Sequence, residues 1–411
     1  MSDRLKTFRK LMSSFEGSSN PQRAIEKGFY IDLPNNPVGE IARRVELRPS
    51  SVHLLLGGIG SGKTTQLLLA TERLNTLEDI KAIYVDITLY TDISDLQPGA
   101  LIAIAALELL KLLDEEKITY PERYRKTIND IALGYTETRE VLSLEQMIAQ
   151  RSIRMTINAP RTEVIQHKGL LERKTENGSN DLTRTFFKIG EKVRETLGKK
   201  ITFFFDGLDR LSNSQIFINS ALKDAIEMKK FGFGSALVGS VITAYKERET
   251  IESFAGELYY IPYLDVEEHD EASKFFTNIL AKRDTDNFIT ESTRALLISN
   301  SGGVLRDLMS LAQSAIEEAY FDGSENIDLV HVEKAVWSLT RSKVAGLTKE
   351  GLETIKQVLA GKNFFPQTPE DLELLVGGYI LEYRFPFRRF AVHPVIAKYI
   401  STQITVSVVS G

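Results

Sequence analysis

Gly57-Gly58-Ile59-Gly60-Ser61-Gly62-Lys63-Thr64-Thr65 is the stretch on which the reading of this chain turns. It fits G-x-x-x-x-G-K-[ST] without a gap. The run before it, Val52 to Leu56, is largely apolar and predicts a buried strand, and the run after it, Thr64 to Ala70, predicts a helix. Strand, loop and helix in that order are what a phosphate-binding loop requires. Glycines let the backbone turn so that successive N–H groups converge on one anion, and the following helix adds the positive end of its dipole. On this reading Gly57, Gly58, Gly60, Ser61, Gly62 and Thr65 build the cradle. Lys63 reaches the β- and γ-phosphates, and Thr64 offers its hydroxyl to Mg²⁺. The plainer alternative is a glycine-rich turn that happens to precede a lysine, and the flanking pattern weighs against it.

The chain has 411 residues, more than one ordinary core holds, so about two or three domains are expected. A hydrophobic content of 42% and a charged content of 26% are ordinary for a soluble globular protein. The net charge of −5 gives no general attraction for nucleic acid, so any such contact needs a local patch. There is no cysteine, which excludes disulfides, thiolate zinc sites and a cysteine nucleophile, and fits a reducing cytoplasm. The five histidines are scattered and suggest no metal cluster. Met1 to Lys10 lacks an apolar core, so no signal peptide is expected. Leu101 to Leu113 is apolar but interrupted by Glu108 and Lys111, and reads as a buried helix, not a membrane span.

The alternation of short apolar runs with helical patterns predicts a parallel α/β sheet. After a polar segment, residues 1–50, strands are expected at 52–56, 81–87, 201–206, 236–242 and 258–264, within a nucleotide domain spanning 51–264. Phe29-Tyr30-Ile31-Asp32-Leu33-Pro34 is an aromatic island in the first segment and a candidate base clamp. Residues 115–180 read as a charged insertion, with weak helical periods around 121–152 and strand-like alternation from Thr162. Its Arg151, Arg154, Arg161, His167, Lys168, Arg173 and Lys174 form either a solvated face or a surface for a partner or nucleic acid. Residues 265–343 are helical throughout, and 344–405 form a further small module.

Ile201-Thr202-Phe203-Phe204-Phe205-Asp206 is a buried strand ending in an acid, as a phosphate-loop enzyme needs on a neighbouring strand to hold the metal. Asp206 is therefore a metal candidate beside Thr64. Asp209, three residues on, either positions water or is an N-cap or an ion-pair partner of Arg210. Thr243, after the 236–242 run, is a candidate γ-phosphate sensor with Lys246 and Arg248 close behind, or ordinary helix-start chemistry.

The pair GGIGSGKTT and FFFDGLDR resembles the signal-transduction ATPases with numerous domains (STAND), relatives of the AAA+ and origin-recognition ATPases. NACHT-type members carry a similar D-G-x-D-E motif, with Glu where this chain has Arg210. Many ring-forming ATPases place Glu directly after the magnesium Asp, where this chain has Gly207. Ser301-Gly302-Gly303-Val304-Leu305-Arg306-Asp307-Leu308 resembles the G-G-x-x-R-x-L element of AAA+ lids. That resemblance implies that Arg306 faces the nucleotide. The alternative is a surface arginine on an amphipathic helix. Residues 347–400 resemble a winged helix, with Arg384, Arg388 and Arg389 on the wing. In STAND proteins a histidine near the end of this module touches the diphosphate, and His393 occupies a comparable place. The alternative is a structural histidine.

The expected fold is thus an α/β, ASCE-type P-loop NTPase sheet followed by a helical lid and a winged helix. The expected function is a cytoplasmic ATPase that binds ATP/ADP and Mg²⁺ and acts as a switch. Lys63, Asp206, Asp209 and Arg306 would carry the chemistry. Output would pass to a homo-oligomer or to a separately encoded effector, as in prokaryotic defence or mobile-element systems. A DNA-bound loader gripping the backbone through the wing or the insertion is the rival, and a nucleotide-binding scaffold without turnover a third reading.

Overall fold

The computed structural model describes residues 3–16, 21–34, 37–141, 161–172, 179–211, 213–254, 257–361, 363–385 and 387–409. Five strands form a parallel sheet: β1 (Val52–Gly57), β2 (Ile80–Asp86), β5 (Lys200–Asp206), β6 (Gly234–Gly239) and β7 (Glu257–Ile261), in the order β2-β5-β6-β1-β7. Helices cover both faces, as an all-parallel sheet requires. On one face, helices Ala100–Glu115 and Ser179–Leu197 pack with Phe203 and Phe205. On the other, Ile41, Ala42 and Val45 of helix Pro37–Leu47 and Leu67, Ala70 and Leu74 of helix Lys63–Asn75 meet Leu55, Phe204 and Val238. Alternate residues of one strand therefore feed opposite cores, the period-2 consequence of the pleat.

Three expectations change. The Asp206 strand is not next to the loop strand, because β6 lies between β1 and β5. β6 itself ends at Gly239, not at residue 242, and Thr243 lies within helix Val241–Lys246. Val241 and Ile242 read as strand because they are β-branched. Ser240 overrides that propensity by capping the helix, its Oγ accepting from the N–H of Ile242 at 3.3 Å. In the insertion, helix Glu122–Leu133 gives way to β3 (Gly134–Val141), which pairs antiparallel with β4 (Arg161–Lys168). The helical reading is therefore replaced by a strand over 134–141, and its remainder to residue 152 lies outside the described residues. His167 of β4 stacks on Tyr135 at 4.5 Å and meets Glu137 at 3.0 Å. Arg151, Arg154, Arg173 and Lys174 lie outside the described residues.

Beyond the sheet, helices Asp270–Arg283, Glu291–Ser301, Leu305–Phe321 and Leu329–Val344 share one core. Two other parts of the chain join it. Phe8, Leu11 and Phe15 of the N-terminal helix Asp3–Phe15 pack there, and Arg4 closes the end of Leu305–Phe321 by donating to the carbonyls of Ala319 and Tyr320 at 3.0 and 2.9 Å. The C-terminal elements join as well. They are helices Lys349–Leu359 and Pro369–Val376, the hairpin β8 (Ile380–Tyr383) and β9 (Arg389–Val392), and helix Pro394–Val409. The first 50 residues are thus split, one helix serving the helical core and another the sheet. No helix among the described residues is long and apolar enough to cross a membrane.

Candidate nucleotide site

The glycine loop folds as its sequence requires. Gly60 and Gly62 take φ of +86° and +94°, where a side chain would be strained. Gly58 is needed for a different reason: a Cβ there would sit 2.2 Å from the Tyr263 ring. Tyr263, just past β7, donates to the carbonyl of Ile59 at 3.0 Å and so pins the loop from outside. Helix Leu305–Phe321 pins it from the other side, where the Arg306 N–H donates to the Gly60 carbonyl at 3.3 Å.

Lys63 is 4% exposed. Its Nζ donates to the carbonyls of Gly57 and Gly58 at 3.1 and 2.7 Å and pairs with Asp209 Oδ2 at 2.9 Å. The alternative of an Asp209–Arg210 pair is not seen among the described contacts, and the partner is Lys63. Asp206 stands one layer behind. Tyr84 donates to its Oδ2 at 2.9 Å, the Gly207 N–H to its Oδ1 at 2.8 Å, and the Thr64 hydroxyl also bonds to it. Burial pushes its carboxyl above the ordinary range, and the charge of Asp209 adds to this against the three hydrogen bonds. Gly207 has φ +91° and a Cβ there would lie 2.9 Å from Thr88 Cγ2. A glutamate at that position would be strained, and Asp209 is the acid next along the chain that faces the cavity.

The cavity in front of the loop is lined by Gly60, Ser61, Gly62, Lys63, Thr64, Thr65 and Gln66 from the loop and its helix, and by Asp209 and Arg306. Its far end is apolar and aromatic. Phe29, Tyr30, Ile31 and Leu33 of the N-terminal island face Phe275, Ile279 and Met309 of the helical core, with Arg283 among them. Gly57 and Gly58 lie beneath the loop and do not line the cavity, and Asp206 reaches it through Thr64.

Two expected contacts are absent. Thr243 is 1% exposed inside its helix and does not line the cavity. The polar residue at the tip of the strand between β1 and β5 is Ser240, which the overlong strand reading hid. His393 is fully buried away from the cavity: its Nε2 meets Asp307 Oδ2 at 3.0 Å, and Lys343 Nζ meets the same oxygen at 2.9 Å. Burial lowers the His393 pKa. Burial would raise Asp307, but His393 and Lys343 outweigh it and hold that carboxyl below its usual range. His393 thus reaches Arg306 only through its neighbour Asp307. Tyr84 and Asp86 were not foreseen. Asp86 pairs in register with Asp206 across β2 and β5, and the signal available was the acid one place before the end of the 81–87 run.

Arg384, Arg388 and Arg389, of the β8–β9 hairpin and its turn, are all engaged. Glu382, 3% exposed, accepts from Arg384 Nε and Arg388 Nε, each at 2.9 Å, and from Tyr260 OH at 2.8 Å. Arg388 also donates to Tyr245 OH at 2.5 Å, and Arg389 forms a two-pronged pair with the buried Asp265, one arm at 2.6 Å.

No family model matches the chain, and no curated protein matches it. Among solved structures it is similar to Cdc6p from Pyrobaculum aerophilum, at 12% identity and a TM-score of 0.46 over 92% of this chain and 94% of that one. It is also similar to Orc1 from Aeropyrum pernix, solved in complex with DNA, at 13% identity and a TM-score of 0.45 over 93% and 96%. A third is the RuvB Holliday junction branch migration motor of Thermotoga maritima, at 14% identity and a TM-score of 0.40 over 90% and 95%.

Proposed function

We propose that this chain is a Mg²⁺-dependent ATPase that acts as a nucleotide-controlled switch of the STAND or AAA+ kind, with a winged helix as its C-terminal module. One observation carries the reading: the glycine loop, Asp209 and the lid's Arg306 line a single cavity, and Asp206 stands behind it bonded to Thr64. The loop amides and Lys63 hold the phosphates, and Arg306 meets the terminal one as charge builds there. Lys63 leaves Asp209 when it takes a phosphate, and the freed carboxylate then orients the attacking water. The donor set fits Mg²⁺. Thr64 and Asp206 bring a hydroxyl and a carboxylate into mutual contact, and such a hard cation completes its shell with phosphate and water oxygens. When bound, the ion would neutralise phosphate charge.

The switch follows from where the lid is tied. Arg306 stands in the first turn of the helix that also carries Asp307, and Asp307 is bonded to His393 of the C-terminal module. A nucleotide that draws Arg306 toward the γ-phosphate therefore acts on both bodies, and it shifts the equilibrium only by its differential contacts in the two states. The output is a homo-oligomer or a partner protein. The DNA-loader reading is weakened by the wing, whose Arg384, Arg388 and Arg389 already answer Glu382 and Asp265.

Light scattering with ATP analogue, with ADP and with neither tests the proposal, with Asp206→Ala alongside and phosphate release measured in parallel. A change of mass or shape specific to the triphosphate is expected in the wild type and not in the variant. Identical behaviour in every condition would remove the switch, and binding without phosphate release would leave a scaffold.

A further inference from the structure

At the apolar end of the cavity stands a cation that no acid among the described residues answers. Arg283 closes helix Asp270–Arg283 and lines the cavity with Phe29 and Tyr30. Its Nη1 donates to the carbonyls of Phe29 and Ile279, both at 3.2 Å, and its guanidinium lies 5.2 Å from the centre of the Phe29 ring. Its Nε–H is buried without a partner, and among the described residues it has no ion pair. Burial alone lowers its pKa, to about 10. Buried donors left unmade are costly, and arginine offers five of them in a planar fork. Such a group in a cavity wall calls for an acceptor on the ligand. The phosphates belong at the other end, with Lys63 and Arg306. The acceptors left to a nucleotide here are those of its base, and the aromatic walls suit a stacked ring.

We propose that Arg283 reads the base of the bound nucleotide, donating from its uncommitted guanidinium edge to a ring nitrogen of a purine held against Phe29 and Tyr30. This rests on the nucleotide reading above and adds to it the residue that sets base preference. The same arginine ties the aromatic arm to the lid through the Phe29 carbonyl, so base and arm are recognised together.

Calorimetry with Mg·ATP, Mg·tripolyphosphate and the 1-, 3- and 7-deaza analogues of ATP tests the proposal on the full chain. Arg283→Ala is expected to weaken ATP about 10- to 100-fold, as for a hydrogen bond from a charged donor, and to leave tripolyphosphate within about twofold. One deaza analogue is expected to bind the wild type about tenfold more weakly than ATP, and the variant no more weakly than ATP does. Arg283→Lys keeps the charge but lacks Nε, so it should show the same insensitivity. It carries the comparison if the alanine variant does not fold. Equal losses of ATP and tripolyphosphate, or three deaza analogues indistinguishable from ATP in the wild type, would overturn the assignment and leave Arg283 a strut. Absence of tripolyphosphate binding by the wild type would instead sink the phosphate-loop reading, and this proposal with it.

Discussion

The β8–β9 hairpin and the cavity each gather positive side chains, and they treat them in opposite ways. On the hairpin, Arg384 and Arg388 are matched to Glu382, and Arg389 to Asp265. In the cavity, Arg283 and Arg306 have no carboxylate partner among the described ion pairs, and Lys63 has one that sits in the cavity wall itself. A cation already answered by a buried acid is a joint. A cation left open in a concave, partly apolar site attracts an anion or another acceptor. Arginine content alone pointed to the wing as a nucleic-acid surface, whereas partnering points to the cavity.

Lys63→Ala puts the contrast to its hardest trial. It removes the phosphate's counter-charge and leaves Asp209 as an unbalanced anion in the same wall. Nucleotide affinity should fall about 1000-fold, or ~4 kcal/mol, in a calorimetric titration. A loss under about fivefold would break the comparison.

His53 sharpens it from the core. It is fully buried, with Ser51 Oγ 2.6 Å from Nε2, and burial pushes its pKa down to about 4, Glu257 opposing and Arg48 and Arg44 assisting. Here the unanswered cation is avoided by staying neutral. The unfolded chain takes up the proton near pH 6.5 and the folded one only near 4, so stability present above about 6.5 is lost as pH falls across that window. The loss should reach roughly 3 kcal/mol, and denaturant melts of His53→Gln beside the wild type should show a shallower acid slope.

Glu382→Gln tests the joint. It leaves Arg384 and Arg388 without their shared acid, and because both are partly exposed the cost should be about 2 kcal/mol in denaturant melts. Salt-sensitive DNA binding should rise as these cations are freed. If DNA binding is strong in the wild type and unchanged in the variant, the β8–β9 hairpin is not a silent joint. The smallest effect is expected from Tyr263→Phe, which deletes one hydrogen bond to the Ile59 carbonyl. It should cost about 1 kcal/mol in stability and weaken nucleotide about fivefold by loosening the loop.

The local features could be read from the residues and the long-range ones could not. The glycine loop, the strand closing at Asp206 and the turn at Gly302-Gly303 each depend on a few neighbouring residues, and they lie where their patterns put them. The end of β6 was misplaced because β-branched Val241 and Ile242 extend a strand pattern that a single cap at Ser240 overrules. The hairpin at 134–141 was missed because Thr, Glu and Arg give no apolar period in either register. Pairings such as Glu382 with Tyr260, or Arg389 with Asp265, span more than a hundred residues of chain, and no spacing in a single sequence encodes them.

Near the base of the loop, four side chains meet: Tyr263 from the end of the sheet, Val304 from the lid turn, and Leu381 and Tyr383 from the hairpin. Tyr383 donates to the Gly302 carbonyl at 2.8 Å, and Gly303 passes so close to the Leu264 carbonyl that a Cβ would stand 1.6 Å from its oxygen. This knot fastens the end of the sheet, the turn before helix Leu305–Phe321 and the β8–β9 hairpin at one point, so none of the three can shift there without repacking the other two.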